Sequence, residues 1–205
     1  MRSLGVIQHT SADYLGLMED HLEGRKVGFT YFRPFTESGT VPSFKSARDC
    51  LVLMGGGPWG AAGSRDVPTL EEEISLARTC LMMDHPILAF GLGAQILAIA
   101  AGGKAEPAPL EFRVGYGKRT DPDALNGYLP ETFPCVSYMR DRPVPPDYAK
   151  GLAEDDRGDP ALWQIGENVL GFTFHPGFKL AIAEDLIMEF EESPDDIGPH
   201  EVVRV

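Results

Sequence analysis

The sequence predicts an α/β protein, one domain with a mostly parallel central sheet and helices on both faces. Three observations carry this. Short apolar runs of strand length alternate with helix-periodic segments through residue 101, the pattern of a sheet covered by crossover helices. The stretch Pro86 to Gly103, PILAFGLGAQILAIAAGG, runs a strand into a Gly-x-Gly corner and straight on into an alanine-rich buried helix; this is the architecture that lifts a residue above the edge of such a sheet. Finally, 205 residues, 43% of them hydrophobic, suffice for one sizeable core, with no composition break to mark a second.

Taken in order, Leu4 to Gln8 is a first strand, and Leu15, Met18 and Leu22 recur at helical spacing up to Gly24, which caps that helix. Val27 to Phe32 is β-branched and aromatic and forms a second strand, followed by a Pro/Ser/Gly-rich connection through Ser43. Cys50 to Met54 is a third strand and ends in Gly55, Gly56, Gly57 and Pro58. Thr69 and Glu72 form a capping box for the next helix, whose core face is Leu70, Ile74, Ala77 and Leu81 and which Pro86 stops. Beyond the elbow helix, Lys104 to Glu106 and Phe112 to Arg119 read as strands, Thr120 to Pro134 as loop, and Tyr138 to Pro146 as a proline-rich, charged stretch. Ala161 to Ile165 and Val169 to Phe174 form a β-pair across a Gly-Glu-Asn turn and deliver His175 at a strand end. Leu180, Ala183, Leu186, Ile187 and Phe190 mark a last amphipathic helix, so the expected domain is 1–192, with 193–205 an acidic tail.

Charge narrows the function classes. A formal net charge of -13 argues against a nucleic-acid or anionic-membrane surface, either of which needs a basic face. No apolar run reaches the length of a membrane span, and MRSLGVIQHT lacks the long apolar region of a signal peptide, so the expected location is cytoplasmic. Cys50, Cys80 and Cys135 are an odd count without metal-type spacing, which fits reduced thiols. His85, His175, Met82 and Met83 show no paired ligand spacing, so neither a metal nor a cofactor is expected.

Two glycine-rich corners carry competing readings. After the third strand, Gly55 to Gly57 could let backbone N–H groups approach a phosphate, but the following helix opens with Glu71, Glu72 and Glu73, whose charge would repel one. The same glycines also serve as a simple tight corner. At the elbow, Gly91-x-Gly93 matches the first two glycines of a dinucleotide fingerprint, while Ile96 stands where the third would permit close helix packing.

Four segments together resemble the class I glutamine amidotransferases. The family's elbow commonly reads G-I-C-L-G-x-Q-L-L-A with the nucleophilic cysteine at its apex, and this chain reads A-F-G-L-G-A-Q-I-L-A. Leu51 to Pro58, LVLMGGGP, is similar to the oxyanion loop, Phe112 to Tyr116, FRVGY, to the E-x-G-W segment, and Gly171 to Gly177, GFTFHPG, to G-V-Q-F-H-P-E. The matches fall in the family's order from about residue 50 to 180. The resemblance implies a flavodoxin-like fold, a retained triad histidine at His175, and oxyanion donors at Gly57 and Leu92, with Gln95 beside a substrate pocket.

It also implies two losses. Gly91 stands at the position of the nucleophile and Gly177 at that of the triad acid. Glycine forms no acyl-enzyme, and without a carboxylate the histidine loses the group that orients it. Glycine also relaxes a strained apex that costs other residues on the order of 1 kcal/mol. The expected function is therefore that of an amidotransferase-like protein without glutamine hydrolysis. It would act as a binding or regulatory module for a small amino-acid-like ligand or a synthase or other protein partner. The alternative is an active amide hydrolase with a relocated nucleophile, for which Cys80 in a packed helix and Cys135 in FPCVSY are the candidates. If the pocket is intact, restoring Cys at 91 and Glu at 177 together is expected to create glutaminase.

Overall fold

The structure, a computed structural model, describes residues 2–192 and Pro194. Its strands are β1 (Ser3–Ile7), β2 (Gly28–Phe32), β3 (Cys50–Leu53), β4 (Ile87–Phe90), β5 (Lys104–Glu106), β6 (Glu111–Arg119), β7 (Thr132–Met139), β8 (Arg142–Val144), β9 (Lys150–Asp155), β10 (Pro160–Ile165) and β11 (Val169–Phe172). The α-helices are α1 (Leu17–Gly24), α2 (Leu70–Met82), α3 (Leu92–Ala100) and α4 (Leu180–Glu189).

A nine-stranded sheet runs β2-β1-β3-β4-β11-β10-β9-β6-β7. The half from β2 to β11 is parallel, and the half from β11 to β7 antiparallel. Strands β5 and β8 pair apart from it. Alternation along the parallel strands explains the layers. Ile7, Leu51, Leu53, Ile87 and Ala89 pack with Ile74, Ala77, Ile96 and Leu97 of α2 and α3. Their neighbours Val6, Val52, Met54 and Phe90 face the other way, with Leu15, Met18 and Leu22 on the α1 side. The α/β class with helices on both faces therefore stands, its parallel core extended by an antiparallel wing.

Several details differ from expectation. Gly24 is the last residue of α1, and the left-handed conformation falls on Lys26, with φ 57°. The Thr69–Glu72 capping box does not form; the Thr69 hydroxyl bonds Glu73 instead, at 2.6 Å. Helix α2 turns Glu73, Ile74, Leu76, Ala77 and Cys80 inward, while Leu70 and Leu81 lie at the margin. The region read as loop and proline-rich stretch holds a short 3₁₀ turn at Ala124–Gly127 and then β7 and β8, and β9 follows it. Prolines at 134 and 143 hide β7 and β8 from a propensity reading, because an edge or two-stranded setting tolerates the missing N–H. The acidic tail, but for Pro194, lies outside the described residues. No helix among the described residues is long and apolar enough to cross a membrane.

Candidate functional site

In a parallel sheet the carboxyl ends of neighbouring strands open into one crevice, where open α/β sheets bind ligands. Here β1, β3, β4 and β11 are adjacent. The chain beyond them supplies His9 and Asp13, Gly55 to Gly57, Gly91, and His175 respectively. Asp13, Gly55, Gly91 and His175 line one small cleft, closed by Phe90, Ser137, Met139, Phe178, Ile182 and Leu186 among others.

Gly91 joins β4 to α3 at φ 52°, ψ -113°, a positive-φ conformation that strains any residue with a Cβ. Its N–H bonds the Phe172 carbonyl at 2.9 Å, which holds the apex against β11. The elbow geometry thus persists with no side chain on it. A Cβ there would meet only the Gly55 Cα, at 3.5 Å, so the position is strained but roomy.

His175 is held differently from a catalytic base. Its Nε2–H donates to the Tyr14 carbonyl at 2.6 Å, and its Nδ1 accepts the Gly177 N–H at 3.0 Å. A carbonyl only accepts, so the ring is fixed as the Nε2–H tautomer with its one lone pair occupied. Neither nitrogen is left to take a proton from a group at Gly91.

Gly177 cannot simply be refilled. A Cβ on it would lie 2.4 Å from the Leu15 carbonyl oxygen and 2.9 Å from Met18 Cγ, and its own carbonyl already takes the Leu17 N–H at 2.8 Å. The segment after β1 occupies the space a side chain at 177 would need. That same segment brings in a carboxylate the motifs do not mark. Asp13 Oδ1 is 3.6 Å from His175 Nε2, the residue is 5% exposed, and that oxygen finds no hydrogen-bond partner among the described residues.

Beneath this lies a buried ion pair. His9 Nε2 donates to Glu73 Oε2 at 2.8 Å and its Nδ1 to the Gly55 carbonyl at 2.9 Å, with His9 4% and Glu73 0% exposed. The Thr69 hydroxyl satisfies the second Glu73 oxygen. The pair ties β1 and α2 to the first glycine of the loop after β3. His9, Asp13 and Glu73 escape motif reading; the available signal is polar residues placed directly after a parallel strand.

Of the other expected residues, Gly57, Leu92 and Gln95, none lines the cleft itself. Gly57, at φ 56°, packs under Leu186 and Phe190 of the C-terminal segment, and Leu92 lies against Gly56. Among the described residues neither the Gly57 nor the Leu92 N–H meets a protein acceptor. Gln95 does not line the cleft: it is buried, and its Nε2 donates to the Arg140 carbonyl at 2.6 Å. In the first turn of α3, Gly93 N–H bonds Met54 and the Ala94 and Gln95 N–H groups bond Gly91. A dinucleotide phosphate would need those donors. No cysteine lines the cleft among the described residues; Cys135 instead lines an adjoining cavity of about 200 Å³. Burial pushes the Cys80 thiol up to about 11 and the Cys50 and Cys135 thiols to about 12.

Comparison of the sequence with protein-family models and with curated proteins returns no match. Solved structures do match. A glutamine amidotransferase from Thermotoga maritima superposes with a TM-score of 0.82 at 20% identity, covering 99% of this chain and 89% of that one. This chain has the glutamine amidotransferase fold. A second such enzyme, from Methylobacillus flagellatus, gives 0.81 at 19% identity over 100% and 86% of the two chains.

The buried groups of this amidotransferase-fold protein set its pH response. Burial alone would depress the His9 imidazole, but Glu73, the Gly55 carbonyl and Asp13 outweigh it and raise its pKa above the ordinary value of 6.5. The folded state therefore holds that proton more tightly, and the stabilisation is complete below about pH 6.5 and lost as pH rises through the folded pKa. Asp13 acts in the same sense. Burial raises its carboxyl despite His175 and His9, so the unfolded chain ionises first as pH rises. Denaturation midpoints are expected to fall from pH 6.5 upward, and His9→Gln is expected to flatten that slope; an unchanged slope would remove His9 as its source.

Proposed function

We propose that this amidotransferase-fold protein has lost cysteine-dependent glutamine hydrolysis and serves as a binding or regulatory module. Its ligand is a small amino-acid-like molecule or its partner a synthase or other protein. The observation that carries this is the pairing of a side-chain-free apex at Gly91 with an imidazole whose two nitrogens are both engaged by backbone. Covalent amide hydrolysis needs a nucleophile and a base within reach of it, and the elbow offers neither. The Leu92 and Gly57 N–H groups support a retained capacity to hold a carbonyl oxygen without attacking it. Gly55 of the glycine loop, Gly91 of the elbow and His175 line one cleft, which supports a binding role.

The test is ammonia release from L-glutamine by the purified native protein, beside mass analysis after exposure to an electrophilic glutamine analogue. The expected results are release no greater than a buffer blank and no covalent adduct. The adduct measurement does not depend on an ammonia-accepting partner. Release above the blank, or an adduct that disappears in Cys135→Ala, would establish a relocated nucleophile and overturn the proposal.

A further inference from the structure

Arg65 and Arg140 hold the carboxylate of Glu192 between them. Arg65 Nη1 donates to one oxygen and Arg140 Nη2 to the other. Two guanidinium groups thus converge on one carboxylate, in a chain whose net charge is -13.

The clamp is not built by Glu192. The Arg140 carbonyl accepts from Gln95 of α3 at 2.6 Å, and its Nε donates to the Pro58 carbonyl at 2.9 Å. The next residue, Asp141, is 1% exposed and takes the N–H groups of Ala61, Ala62 and Ala108 at 3.1, 3.0 and 3.2 Å. The Arg65 guanidinium lies over the Trp59 ring, 5.0 Å from its centroid. The elbow helix, the end of the glycine loop and the turn beyond it thus fix both arginines. Such preorganised donors suit a planar carboxylate.

Position gives the clamp its meaning. Pro58 follows Gly57, and Tyr138 and Met139, which precede Arg140, line the elbow cleft. Glu192 arrives from α4, whose Ile182 and Leu186 line the same cleft and whose Glu189 is fastened to the Ser11 and Ala12 N–H groups. The side chains of Arg65 and Glu192 are 36% and 37% exposed, so solvent reaches the pair.

We propose that Arg65 and Arg140 form a carboxylate-binding clamp next to the residues that line the elbow cleft, and that Glu192 is its internal occupant, displaced when a ligand carboxylate binds. This rests on the reading of the cleft as a site for an amino-acid-like ligand and names the group that anchors its charged end. Because Glu192 is tethered, it competes at a high effective concentration and weakens the native affinity.

The test is calorimetric titration of L-glutamine, glutarate and pentanamide into the native protein, Glu192→Gln, Glu192→Gln/Arg140→Met and Glu192→Gln/Arg65→Met, with thermal melts to confirm folding. Removing the tethered competitor is expected to tighten L-glutamine and glutarate by about tenfold or more. Pentanamide, which has no carboxylate, should gain nothing, and either arginine substitution should abolish the gain. Glutarate binding that does not improve in Glu192→Gln, or a gain that survives loss of each arginine in a folded protein, overturns the clamp. A gain for glutarate without one for L-glutamine upholds the clamp and instead removes the amino-acid-like reading of the cleft.

Discussion

Glu73→Leu is expected to destabilise the protein by about 3–5 kcal/mol, since it strands a buried imidazole whose charge Glu73 neutralises. Glu73 is fully buried and gives one oxygen to His9 and the other to Thr69. His9 in turn holds the Gly55 carbonyl, so the loss should propagate into the glycine loop. Denaturant midpoints would measure it. The double variant His9→Phe/Glu73→Leu should recover much of the loss, because replacing both members of a buried pair by apolar groups is often neutral. If the single and double variants lose stability equally, the cost is one of packing and not of an unpaired charge.

The second large effect concerns the attempt to rebuild a triad. Gly91→Cys should fold with a penalty on the order of 1 kcal/mol, because the apex is strained yet open. It should release no ammonia, since His175 has no free nitrogen to activate the thiol. Adding Gly177→Glu is expected to cost about 3 kcal/mol or more. Its Cβ would press on the Leu15 carbonyl and the Met18 backbone, which have no flexible side-chain end to yield. The expectation drawn from motifs alone, that both changes together create glutaminase, therefore gives way to an inert, strongly destabilised double variant. Thermal melts and an ammonia assay decide this. A folded, active double variant would mean that the segment 13–18 moves aside.

Much of the parallel half was legible in the sequence because its determinants are local. Periodicity marked β1 to β4 and α2, and the Gly-x-Gly corner marked the elbow. Strands β7, β8 and β9 were not legible. Prolines hide β7 and β8, and the three strands exist because β6, β5 and β10 respectively offer them ladder partners. At the site, the motifs marked Gly91 and His175, which do meet at one cleft. They did not reveal that the Gln95 amide braces Arg140, and they were silent on Asp13.

The sequence by itself determined that the elbow holds no nucleophile, because the covalent identity of residue 91 needs no coordinates to establish it. It likewise determined the α/β class, since strand and helix periods are properties of neighbouring residues. Only the tertiary structure decided that His175 is tautomerically locked, that Glu73 is a buried partner and not just one of three carboxylates opening a helix, and that the space beside Gly177 is taken. Those facts depend on pairs 161 and 64 residues apart for His175–Tyr14 and His9–Glu73. No periodicity in the chain encodes such distances; they follow from the order in which the sheet sets β1, β3, β4 and β11 side by side.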